Sequence, residues 1–188
     1  MTHSTVILYI IGKPGTGKYT IAKEIEKSGY TICDNHLINN PIFSLLKLDG
    51  VSPIPQFAWD AIAQIREGIF DFLRHETLRN YILTNVLYDI DCDRQIYKQV
   101  ERMALERNSF FFPITLSISE AENIKRIQNH DRHSRYKSIN IEDVYPEHPL
   151  LPISHPNLFD LDVTHLSAKE AATKILAIVE KQLKNKDE

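Results

Sequence analysis

Residues 6–20 read Val6-Ile7-Leu8-Tyr9-Ile10-Ile11-Gly12-Lys13-Pro14-Gly15-Thr16-Gly17-Lys18-Tyr19-Thr20, an apolar run followed by a glycine-rich turn and a helix start. This is the local order needed to hold the terminal phosphates of a nucleotide. Gly12, Gly15 and Gly17 let the backbone curl so that successive N–H groups point inward at phosphate oxygens. The following helix offers its free N–H groups and the positive end of its dipole to the same anion. Lys18 then reaches back toward the β and γ phosphates as a mobile point charge.

The stretch fits the P-loop pattern GxxxxGK except at its last position, where Tyr19 stands in place of Ser or Thr and Thr20 follows one residue later. A Tyr hydroxyl on its long rigid arm does not replace a short hydroxyl close to the backbone. The phosphate-side or magnesium-side hydroxyl therefore falls to Thr16 or Thr20.

At 188 residues the chain has the length of one domain. Its 43% apolar and 25% charged residues are those of a folded globular protein and set aside disorder and coiled coil. With 22 basic and 25 acidic side chains there is no positive surplus to drive binding to a nucleic-acid backbone, so no nucleic-acid partner is expected. Cys33 and Cys92 are far apart and outside any CxxC spacing, which points to a reducing compartment and no zinc site. The apolar run before Gly12 is too short for a signal peptide or a membrane span, and cytoplasmic localisation without a membrane partner is the expectation.

Strands are expected near 6–11, 30–34, 81–87, 110–118 and 158–163, with helices near 20–28, 36–48, 57–79, 91–108, 119–127 and from Ser167 onward. Alternation of strands with helices makes a parallel sheet covered on both faces. Pro41 should break its helix or sit in a first turn, and Pro113 is awkward in a central strand. Ser119 with Glu122, and Ser167 with Glu170, have the spacing of capping boxes. Asp91 or Asp93 is expected to cap the fourth helix, and Asp89 is a possible second acidic partner to magnesium.

Asp34 lies just past the carboxyl end of the second strand, beside the first strand and its loop on this reading, at the edge where open α/β sheets bind ligands. Two roles suit it: general base or orienter for an acceptor hydroxyl, and cap of the helix that follows. Arg126, Arg132, Arg135 and Lys137 form a basic group that either screens the charge of a transferring phosphoryl group or is a solvated loop. Phe57, Trp59 and Tyr88 either line an acceptor pocket or belong to the core. Asn123, Asn129, His130 and His133 match no standard metal-ligand spacing.

The loop from Gly12 to Thr20, Asp34 after the second strand, Arg126 and the basic segment to Lys137 together resemble the small P-loop kinases related to adenylate kinase and shikimate kinase. In the adenylate kinases one non-hydroxyl residue also separates Gly-Lys from Thr, which makes Thr20 the hydroxyl to choose for the metal. The resemblance implies a three-layer P-loop fold with a five-stranded parallel sheet in order 2-3-1-4-5. It also implies an acceptor-binding helical region, about 35–79, and an Arg-bearing lid, about 128–150. The chain departs from those relatives at His130, where a second Arg is expected, and at Thr84-Asn85-Val86-Leu87-Tyr88, where shikimate kinases carry three glycines.

The function expected is ATP-dependent phosphotransfer to a small-molecule hydroxyl or phosphate, with ATP and Mg2+ as cofactors and the small-molecule acceptor and ATP as partners. Lys18, Asp34, Arg126, Arg132 and Arg135 are the catalytic candidates. Gly12, Lys13, Pro14, Gly15, Thr16, Gly17, Lys18, Tyr19 and Thr20 form the nucleotide site. A P-loop ATPase or nucleotide-dependent switch, or a nucleotide-binding protein without catalysis, is the alternative class. The acceptor's identity, the purine preference and the oligomeric state are left open.

Overall fold

The structure is a computed structural model that describes residues 5–46, 53–128 and 147–185. Strands β1 (Val6–Gly12), β2 (Tyr30–Asp34), β3 (Asn80–Asn85), β4 (Phe110–Ser117) and β5 (Phe159–Asp162) are joined through helices α1 (Lys18–Glu26), α2 (Asn35–Leu46), α3 (Gln56–His75), α4 (Asp91–Glu106), α5 (Glu120–Ile127) and α6 (Ala168–Lys184). The strands form one parallel sheet in the order β2-β3-β1-β4-β5, as the sequence led us to expect.

Alternation along β1 decides which helices cover which face. Val6, Leu8 and Ile10 join a core with Ile21 and Ile25 of α1 and Ala171, Ile175 and Val179 of α6. Ile7, Tyr9 and Ile11 point the other way, into a core with Ile62, Phe70 and Leu73 of α3 and Val100 and Met103 of α4. Every residue of β1 is buried because both faces are covered, which is why the strand reads as an unbroken apolar run.

Several local expectations are corrected. Helix α2 runs through Pro41 without a break. The proline withholds only one N–H, and both Pro41 and Leu37, whose carbonyl loses that donor, are exposed to water. Pro113 sits within β4 opposite Tyr9, so a central strand gives up one donor there. Neither Asp91 nor Asp93 caps α4: Ile90 occupies that position, and Asp93 Oδ2 instead accepts the Tyr88 N–H at 2.7 Å. Ser119 does precede α5, but its side chain makes no cap bond, and the Glu122 side chain turns to Arg126 at 2.8 Å. The Ser119 N–H is taken by Thr164 Oγ1 at 2.8 Å. The second box forms in full, with Glu170 N–H on Ser167 Oγ at 3.2 Å and Ser167 N–H on Glu170 Oε2 at 2.8 Å.

The two cysteines are both free, Cys33 buried in β2 and Cys92 exposed on α4. Burial, and then the Asp34 carboxylate next to it, push the Cys33 thiol up to about 12. A thiol-reactive dye at neutral pH should therefore label Cys92 promptly and Cys33 only after denaturation. Prompt labelling of both in the native protein would contradict this burial.

Candidate active site

The loop begins where β1 ends at Gly12 and closes where α1 starts at Lys18. Gly15 and Gly17 have φ of +87° and +85°, a region that side chains other than glycine's rarely adopt. A Cβ on Gly15 would also lie 2.9 Å from Asn123 Nδ2 and 3.0 Å from Ile127 Cγ1. Helix α5 thus presses on the loop from above. Asn123, only 1% exposed, fastens the contact by donating Nδ2 to the Pro14 carbonyl at 2.9 Å. Sequence reading weighed Asn123 only as a metal ligand and missed this role. The available signal was its place four residues before Ile127, on the buried side of an amphipathic helix.

Lys18 folds back over the loop, where Nζ donates to the Gly12 carbonyl at 2.7 Å and the Lys13 carbonyl at 2.9 Å. The ammonium group therefore stands at the mouth of the glycine turn. Thr16 is completely buried and its hydroxyl donates to the Lys13 carbonyl at 2.9 Å, which gives it the work of shaping the turn. Thr20 is exposed and donates to the Gly17 carbonyl at 2.8 Å, leaving its oxygen lone pairs outward. Of the two hydroxyls, Thr20 has the accessible oxygen, and a single such ligand suits Mg2+, which draws most of its shell from phosphates and water. Among the described residues no group of three or more His, Cys, Asp or Glu side chains is placed to hold a metal. Asp89 and Asp91 are both engaged by Arg94, at 3.0 and 2.7 Å.

Arg126 is held over the loop by two elements. Its Nε donates to Glu122 at 2.8 Å and its Nη2 to the Val163 carbonyl at 3.0 Å, just after β5. Its Nη1 lies 3.9 Å from where a Cβ on Gly17 would stand, so one edge of the guanidinium faces the glycine turn. The hydrogen bond from Arg126 holds the Glu122 carboxyl below its ordinary range. Arg132 and Arg135, and with them most of the expected lid, lie outside the described residues.

Asp34 does not stand beside β1, because β3 lies between. Asp34 and Ile10 both pair with Thr84, which sets Asp34 two strand spacings, about 10 Å, across from β1. The carboxylate is 7% exposed and its Oδ1 accepts the Leu37 N–H at 2.9 Å, the bond of a helix cap. Trp59 meets Phe43 edge to face at 5.9 Å, Phe57 is 68% exposed, and Tyr88 forms an antiparallel bridge with Leu150.

No family model matches this chain, and no curated protein matches it in sequence. The fold does match solved structures. A gluconokinase from Sinorhizobium meliloti aligns with a TM-score of 0.64 at 14% identity, over 98% of this chain and 95% of that one. An APS kinase from Mycobacterium tuberculosis, solved with AMPPNP and APS, aligns with a TM-score of 0.55 at 12% identity, over 94% of this chain and 98% of that one. A thymidylate kinase from Candida albicans aligns with a TM-score of 0.56 at 13% identity, over 95% of this chain and 92% of that one. At such identities the likeness is one of fold.

Proposed function

We propose that the chain is an ATP-dependent kinase that transfers the γ-phosphate to a small-molecule acceptor. The observation that carries this reading is the position of the Lys18 ammonium, folded onto the carbonyls of a glycine turn whose two left-handed glycines open it toward an anion. The similar folds named above all bear the names of kinases, which supports the reaction class, while their names differ in acceptor.

In this account the loop N–H groups and Lys18 bind the β and γ phosphates, and Thr20 would give one oxygen to the accompanying Mg2+, which would neutralise phosphate charge. Asp34 faces the acceptor across the span that β3 sets. As the acceptor oxygen bonds to the γ-phosphorus, the bond from phosphorus to the β–γ bridging oxygen breaks, ADP leaves, and the hydroxyl proton passes to the Asp34 carboxylate. Arg126 steadies the charge spread over the γ-phosphoryl oxygens, with Arg132 and Arg135 assigned the same task from the lid. The region of α2 and α3 receives the acceptor.

Asp34→Asn separates the chemical role from the capping role, since an Asn oxygen accepts the Leu37 N–H as well as an Asp oxygen does. We expect kcat to fall by about 10²–10⁴-fold, with thermal stability and ATP affinity nearly unchanged. A variant that alters ATP affinity alone, measured by calorimetry, would make Asp34 a cap and no more.

A further inference from the structure

On the α3 and α4 side of the sheet, four polar side chains converge from three elements: Tyr9 of β1, Arg66 of α3, and Asp93 and Tyr97 of α4. The two tyrosine rings stack with centroids 6.1 Å apart and planes at 22°. The hydroxyls of Tyr9 and Tyr97 and the Nε of Arg66 are buried and without a hydrogen-bond partner among the described residues. Tyr9 is completely buried. Asp93 is held at the sheet's carboxyl edge by the Tyr88 N–H, and its charge acts on both Tyr9 and Arg66. Arg66 and Asp93 are half-buried and Tyr9 and Tyr97 are buried, so the cluster, here called the pit, reaches from the core toward the surface. Orphaned groups of this kind cost about 1–3 kcal/mol each unless something completes them, and so many in one place mark a site that takes a partner.

We propose, resting on the kinase reading above, that this pit recognises the acceptor and that the acceptor is a neutral polyhydroxyl compound. Arg66 only donates, an ionised Asp93 only accepts, and the tyrosine hydroxyls do either. A hydroxyl both donates and accepts, so neighbouring hydroxyls complete all four groups at once. A carboxylate or phosphate would suit Arg66 and the tyrosines but would face the Asp93 carboxylate at close quarters. Helix α2 agrees with a neutral ligand: it carries no Lys or Arg, and buried amide oxygens of Asn35 and Asn39 on one of its faces are without a hydrogen-bond partner among the described residues. Since α2 follows Asp34 directly, those amides place further hydroxyls of the same molecule beside the proposed base.

The test compares the native protein with Tyr97→Phe and Asp93→Asn. Tyr97→Phe removes a hydroxyl without a hydrogen-bond partner among the described residues, and Asp93→Asn keeps an oxygen for the Tyr88 N–H, so both should fold. Transfer of labelled γ-phosphate from Mg-ATP is measured to free sugars and cyclic polyols, to sugar acids and to phosphomonoesters. Binding of the same compounds without ATP is read by saturation-transfer NMR. We expect transfer to a neutral polyol, with its KM raised at least about tenfold in both variants, the equivalent of one lost hydrogen bond, and the KM for ATP unmoved. Transfer to a phosphomonoester or sugar acid, or a polyol KM unchanged in both variants, would overturn the pit assignment and leave the kinase reading standing. Polyol binding that both variants abolish, without transfer to any compound, would keep the pit and refute the kinase. Neither binding nor transfer would overturn both.

Discussion

Replacing Lys18 by alanine is expected to lower phosphate transfer by at least about 10²–10³-fold, the loss typical of removing one preorganised donor from developing negative charge. The position of the ammonium explains why so much rests on one side chain. Nζ sits 2.7 and 2.9 Å from the Gly12 and Lys13 carbonyls, at the mouth of the turn, where it meets an incoming phosphate without reorganising the backbone. Both bonds are only part-buried, so water can take the place of the ammonium when Lys18 is gone. The change in folding stability should therefore stay within about 1 kcal/mol. Steady-state rates together with thermal unfolding check both halves of this statement. Undiminished transfer would remove Lys18 from the chemistry, and a collapse of stability would make it a structural clamp.

The largest effect on stability is expected far from that loop, at the amino-terminal edge of the sheet. The Arg107 side chain is 0% exposed and bonds to Ser109 Oγ at 2.9 Å and the Leu73 carbonyl at 3.0 Å. It also donates to the Arg79 carbonyl, lies 3.5 Å from Glu76 Oε2 and stands over the Tyr81 ring at 5.0 Å. It thus ties the end of α3, the start of β3 and the exit of α4 together. Burial pulls its proton affinity down, while Glu76 and Tyr81 oppose that fall. Arg107→Ala leaves two buried carbonyls without their donor and opens a cavity beneath Tyr81. We expect a loss of about 3–5 kcal/mol, the range for breaking a buried ionic network on one side, read from the midpoint of urea unfolding. A loss under about 1 kcal/mol would mean that water enters and replaces the guanidinium.

The parts of this protein legible in its sequence are those written in neighbouring residues. The glycine spacing from Gly12 to Gly17 and the apolar run of β1 announce a tight turn on a doubly covered strand, the alternation of strands and helices announces a parallel sheet, and the strand order came from the resemblance to the small P-loop kinases. Ser167 and Glu170 form their box in full. Ser119 and Glu122 have the same spacing, yet Arg126 draws the glutamate away and Thr164 supplies the missing acceptor across 45 residues of chain. The separation of Asp34 from β1 was contained in the expected order 2-3-1-4-5, which puts β3 between β2 and β1, and placing Asp34 beside β1 followed nearness in the chain instead. Tyr9, Arg66, Asp93 and Tyr97 share no motif at all. They become a site only when β1, α3 and α4 meet.

The central claim is tested most directly by incubating the protein with Mg-ATP labelled at the γ-phosphate and a pool of nucleosides, nucleotides, sugars and hydroxy acids, with Lys18→Ala as control. The account predicts a labelled small-molecule product from the native protein and none from the variant. Labelled free phosphate whose release rises with a partner protein and not with any small acceptor would contradict it and make the chain a nucleotide-dependent switch.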